Sequence, residues 1–227
     1  MKPSAVPEPA PSSTAALSKL RVPVWLKWVY TAFMLVLVPV YWANYGPTNF
    51  IYFCDAALFL TLFAVWMDIA LLASMSAVGI LLPQFFWCVD FGGELLGFHL
   101  SGMTSYMFDS HRSLFLRGLS LFHGWLPFLL CYLVLRLGYD RRALKAWTVL
   151  ACGLCLVAFF LLPPAGATLA DPKWPRNVNY VFGLDDARPQ MWMPPGLYLV
   201  VWILTLFTLA YLPTHLALRK LTFGSRR

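Results

Sequence analysis

Four residues in otherwise apolar stretches carry side chains that could do chemistry: Cys54, Asp55, Asp90 and His123. Ionisable groups at membrane depth are costly, and by default they are functional candidates facing the interior of a bundle. With the second apolar stretch starting at Phe50, Cys54 and Asp55 lie roughly 6 to 8 Å in, and with the fourth starting at Gly118, His123 lies at a similar depth. Asp90 closes the outer end of the third stretch. The four are therefore expected to meet in the outer half of one bundle. A thiol and an imidazole at one level suit covalent acyl transfer, because the thiolate is the nucleophile and a neighbouring His lowers its pKa and shuttles the proton. Asp55 or Asp90 would orient the imidazole. The plainer roles are packing for the free thiol and a helix-to-helix hydrogen bond for the imidazole.

A second set flanks these residues. Arg112 and Arg117 suit a lipid phosphate, or serve as snorkelling anchors. Asn177 and Asn179 offer hydrogen bonds to a substrate carbonyl, or cap a turn. Glu94, His99, Asp109 and His111 are metal-ligand types without zinc spacing, so no metal site and no cofactor are expected. Cys152 and Cys155 form a C-x-x-C inside an apolar run, where packing is the expected role.

The elements that must position these groups follow from composition. Of 227 residues, 60% are hydrophobic and 12% charged, far from a soluble domain. Apolar runs place spans near 28–45, 50–67, 70–90, 118–136, 146–163 and 196–214. The expected fold is an all-α, polytopic six-helix transmembrane bundle. The turn between the second and third spans is marked only by Asp68, and the long outer loops run from Phe91 to Arg117 and from Pro164 to Pro195. The second loop, with WPRNVNYVFG and MWMPP, suits the headgroup level. Residues 1–27, rich in Pro, Ala and Ser, read as a disordered tail without a cleavable signal, and 218–227 as a basic tail. Twelve of the 17 Lys and Arg residues fall on one side if both termini do, which puts the N- and C-termini in the cytoplasm. Basic residues flank apolar segments instead of forming a stripe, so the expected partners are membrane lipids and not nucleic acid. The orientation and the lack of organellar signals point to a bacterial inner membrane. Five cysteines in or beside apolar runs argue against a disulfide framework.

The stretches FIYFCDAALFLTLFAV, ASMSAVGILLPQFFWCVDF, LFLRGLSLFHGWLPFLLCYLVLRLG, NVNYVFG and GLYLVVWILTLFTLAYLP cover most of Phe50 to Pro213. Their order resembles the YwaF-like family of six-helix integral membrane proteins, grouped with membrane acyltransferases and the androgen-induced hydrolases of fatty-acid esters. In the acyltransferase branch the resemblance implies a catalytic pair at Cys54 and His123; the hydrolases are expected to use a Thr with the His. Where the family shows a Leu-His-Leu-Cys-like stretch, this chain has FIYFCD. The leading expectation is thus a lipid acyltransferase or acyl-ester hydrolase. The alternatives are a small transporter or proton/ion relay using Asp55, Asp90 and His123, and a non-catalytic scaffold whose polar residues join helices.

Overall fold

A computed structural model describes residues 21–169, 171 and 173–224, with the side chains of 223 and 224 left aside; the tail expected at 1–20 lies outside the described residues. The described chain is helical and holds no strand. Five helical stretches are long and apolar enough to cross a membrane, and a sixth, shorter helix lies between the first two of them. The chain is built as a multi-pass membrane protein.

The helices are α1 (Val24–Tyr45), α2 (Phe53–Met67), α3 (Ala70–Leu95), α4 (Leu114–Ser120), α5 (Phe122–Leu137), α6 (Ala143–Leu161), α7 (Pro195–Thr205) and α8 (Leu212–Gly224). A stretch of π-helix, Leu206–Tyr211, joins α7 to α8 without a break. Helix α1 begins at Val24, so 24–27 belong to it and not to the tail. Helix α2 is shorter than expected, with 15 residues, because Pro47 and its neighbours coil into a separate short 3-10 turn, Pro47–Ile51, ahead of it. Helix α3 runs five residues past the expected end at 90, through Gly92 and Gly93. Likewise the basic segment expected to be a tail from 218 stays helical to Gly224.

Helix α3 is the central post: over its most apolar stretch 56% of it is buried, against 22–39% for the other four spans. It packs on α2, α5, α6 and the π-helical turn. The sequence reason is the run Ala73 to Gly79, small but for Met75 and Val78 and entirely buried, which lets neighbouring backbones approach closely without a hydrophobic drive between helices. Trp147 of α6 lies so tightly on Gly79 that a Cβ there would sit 1.9 Å from the indole.

The turns between α2 and α3 and between α5 and α6 lie on one side. The Lys27 ammonium bonds Asp68 (3.2 Å) and the Trp66 carbonyl (3.1 Å), while the Val22 N–H bonds Asp68 (2.8 Å), tying the start of α1 to the end of α2. Asp68 adopts a left-handed conformation (φ 53°), which Asp tolerates through its short polar side chain, and this lets α2 turn straight into α3. On the same side the Asp140 N–H bonds Ser74 (3.0 Å) and Tyr139 pairs with His215. The long connections, 96–113 and 162–194, lie on the opposite side.

Candidate functional site

The long-loop side holds a buried carboxylate with too few partners. Asp55 sits in the first turn of α2, where the helix dipole favours a negative group, and is 3% exposed. The 3-10 turn brings Asn49 over this helix start. Its Nδ2 donates to Asp55 Oδ2 at 3.2 Å, and the neighbouring Cys54 thiol donates to the same oxygen at 3.8 Å. Asp55 Oδ1 is buried with no hydrogen-bond partner.

Hydroxyl groups gather at the same end of the bundle. Tyr41 of α1 and Ser120 of α4 share a hydrogen bond at 2.8 Å. Tyr106, from the 96–113 connection, is within reach of Cys54 and Ser120 and accepts a hydrogen bond from Trp87 Nε1 at 3.1 Å. Arg112 lies nearby: its Nη1 donates to Tyr45 Oη at 2.8 Å, its guanidinium lies 5.4 and 5.6 Å from the Tyr45 and Tyr106 rings, and it pairs with Asp109 at 3.5 Å. Gln84 lies three residues before Trp87 on α3, 2% exposed, with both amide atoms unpartnered.

The expected Cys and His pair is arranged differently. The His123 ring stacks on Trp87 (5.0 Å between centroids) and Phe122 (4.0 Å), and its Nδ1 lies 2.8 Å from the Ser120 carbonyl. A carbonyl only accepts, so Nδ1 carries the proton and Nε2 is the basic nitrogen. No hydrogen bond joins His123 to Cys54, Asp55 or Asp90. Both Asp90 oxygens are occupied elsewhere: Oδ1 accepts from the Ser101 N–H (2.7 Å) and hydroxyl (2.8 Å), and Oδ2 from the Thr104 N–H (2.9 Å) and hydroxyl (2.7 Å).

Asn177 and Asn179, both in left-handed backbone, hydrogen-bond within the chain. Asn179 Oδ1 accepts from the Phe53 N–H at 3.0 Å and its Nδ2 donates to the Ile51 carbonyl at 3.0 Å, capping α2 from a distance. Asn177 Nδ2 donates to the Gly183 carbonyl (2.9 Å) and Asp186 (3.2 Å), and its Oδ1 accepts from the Phe182 N–H (2.9 Å). Burial pushes the Asp186 carboxyl up. Arg117 donates to the Met107 carbonyl at 3.0 Å and leaves its Nε buried and unpartnered. Glu94 pairs with His99 at 2.7 Å. Among the described residues no three His, Cys, Asp or Glu side chains group as a metal site. Cys152 and Cys155 are free thiols.

Sequence reasoning passed over Asn49, Tyr41, Ser120, Tyr106 and Gln84. Gln84 carried a signal, an amide inside an apolar run. The hydroxyl residues carried none, because only tertiary contact brings them together. No protein-family model, curated protein or solved structure matches this chain, so the geometry carries the functional reading.

Proposed function

We propose that the chain crosses the bilayer six times with both ends in the cytoplasm, and that Asp55 takes up a proton or a small cation from the outer side, as a small transporter or relay would. The observation that carries this is the buried Oδ1 without a partner. No basic side chain is ion-paired with Asp55, and an uncompensated charge at that burial costs several kcal/mol, so the carboxylate calls for a proton or a cation. Polar groups continue toward the other side: the Tyr30 hydroxyl on the Leu58 carbonyl (3.0 Å), Thr61 and Ser76, then the Lys27 and Asp68 pair. Arg21, Lys27, Arg136, Arg141, Arg142 and Lys145 cluster at the short-turn side, which supports the orientation. The test is gradient-driven flux of protons and alkali cations in proteoliposomes. Flux lost in Asp55→Asn and kept in His123→Gln supports the reading; a wild-type protein inert to every gradient overturns it.

A second reading, lipid acyl transfer, rests on the resemblance to the YwaF-like family and is favoured by the Cys54 thiol pointing its proton at Asp55. Here Asp55 takes that proton, the sulfur attacks an ester carbonyl, and the alcohol leaves with the proton; hydrolysis or transfer of the thioester returns the enzyme. Labelling by a lipid-like, thiol-directed acyl probe that vanishes in Cys54→Ala supports it, and labelling unchanged in that variant sinks it.

A further inference from the structure

The connection from α3 to α4 does not leave the protein toward water; it doubles back along α3. Each anchor lies nearer the helix start than the one before. The Phe98 N–H bonds the Gly93 carbonyl at 2.8 Å, and Leu100 packs where a Gly93 side chain would be, 2.9 Å from that Cβ position. Ser101 and Thr104 then hold Asp90, and Tyr106 meets Trp87. From Gly93 to Trp87 is six residues, a return of about 9 Å. Helix α3 itself, with 26 residues, is about 39 Å long against a hydrocarbon core of about 30 Å. With that excess of about 9 Å shared between the two ends of α3, a return of about 9 Å carries the chain about 4–5 Å into the depth of the leaflet.

Three further features agree. From Leu95 to Phe108 the sequence LLGFHLSGMTSYMF contains no Asp, Glu, Lys or Arg, and charge resumes at Asp109 and Arg112. Its one imidazole, His99, is tied to Glu94 near the top of α3. Non-helical backbone at membrane depth must have its polar groups satisfied, and here the N–H groups of Phe98, Ser101, Thr104, Ser105, Met107 and Phe108 are all bonded within the protein. The segment is also two-faced. Thr104 and Met107 are buried, whereas Phe98 and Leu100 are 64% and 60% exposed, with Met103 and Phe108 beside them. That apolar face continues the exposed apolar surface formed by Phe85, Phe86 and Val89 on α3 and by Leu114 and Phe115 on α4.

We propose that residues 96–108 form a re-entrant segment whose exposed face is seated in the lipid of the long-loop leaflet, while its inner face packs on α3 and α4. The occupant of that face is lipid and not a second copy: the row of Phe98, Leu100, Met103 and Phe108 is continuous with the sides of two spans, and the one ionisable side chain among them, His99, is already paired with Glu94.

The test places a benzophenone amino acid at Phe98, and separately at Leu100, in the full chain in phosphatidylcholine nanodiscs, and reads photo-adducts by mass spectrometry. Phe86, on the side of α3, and His111, beside the charged end of the loop, are the references. The expected result is a phospholipid adduct at Phe98 and Leu100 as abundant as at Phe86 and several-fold above His111. Adducts at the His111 level, or crosslinks to a second copy, overturn the proposal. Unfolding temperatures matching the wild type show that the probes left the fold intact, and a Phe98 variant that fails to fold leaves Leu100 to decide. The readout does not depend on any activity of Asp55, so its failure and the failure of the cation reading are separate results.

Discussion

Asp90 and Thr104 stand fourteen positions apart, yet the N–H and the hydroxyl of Thr104 both donate to one Asp90 oxygen, at 2.9 and 2.7 Å. With Ser101 on the other oxygen, a single carboxylate near the end of α3 organises the turn that follows. Asp90→Asn replaces one acceptor oxygen by a donor and removes the charge that strengthens the rest. Hydrogen bonds to charged groups are worth about 1.5–3 kcal/mol each, so a loss of roughly 2–4 kcal/mol is expected. Amide exchange confined to 96–108 should accelerate in the same variant, measured by mass spectrometry in nanodiscs.

Asp55 behaves in the opposite way. Its Oδ1 has no partner to lose, so Asp55→Asn leaves thermal stability unchanged or raises it, because replacing an uncompensated buried charge is neutral or favourable. Proton- or cation-driven flux should nevertheless vanish. A large fall in unfolding temperature would instead assign Asp55 a structural role.

Gly79 tolerates no side chain. A Cβ there meets the Trp147 ring at 1.9 Å, and both neighbours are buried in the packed centre. Gly79→Ala should cost at least the roughly 1–3 kcal/mol typical of overpacking. Trp147→Leu in the same chain should restore part of it, as a double-mutant comparison of unfolding temperatures would show.

The Glu94 and His99 pair gives the loop a pH dependence of defined sign. The hydrogen bond that His99 donates to Glu94, then the Glu94 charge, holds the pKa of the exposed His99 imidazole above its ordinary value. A group whose pKa is raised on folding stabilises fully below its unfolded value, near 6.5, and loses that contribution as pH rises through the folded one. The wild-type advantage over His99→Gln should therefore be largest below the unfolded value and fade as pH rises through the raised folded one, followed by thermal unfolding across a pH series.

Asn179 caps a helix that follows it by no sequence proximity, 126 positions from Phe53. Asn179→Ala leaves the Phe53 N–H and the Ile51 carbonyl without their partners, for a loss of about 1–2 kcal/mol. Exchange should rise first at the start of α2, around Phe53 and Cys54.

Much of this architecture was legible before any coordinates. The apolar runs located the long helices, with most ends within five residues and the last helix running ten residues beyond its expected end to Gly224, and the lone Asp68 marked the turn between α2 and α3. Boundaries slipped where a local signal was overruled by contact. The third span was expected to end at 90, yet α3 continues through Gly92 and Gly93 to Leu95, where the returning chain packs Leu100 onto Gly93. The residues 24–27 read as tail, yet Lys27 is drawn into α1 by Asp68 and the Trp66 carbonyl.

Hydropathy and span length are properties of consecutive residues, so the sequence alone determined that this is a helical membrane protein and which ionisable groups fall inside its apolar helices. Which of those groups meet depends on helix rotation and on where a loop folds, and neither is written in local spacing. Depth counting brought Cys54 and His123 to one level, but the thiol meets its own chain neighbour Asp55, while stacking on Trp87 and Phe122 and the Ser120 carbonyl engaged the imidazole. Asp90 could have faced either; it was the descending chain, with four donors to satisfy at membrane depth, that claimed its carboxylate.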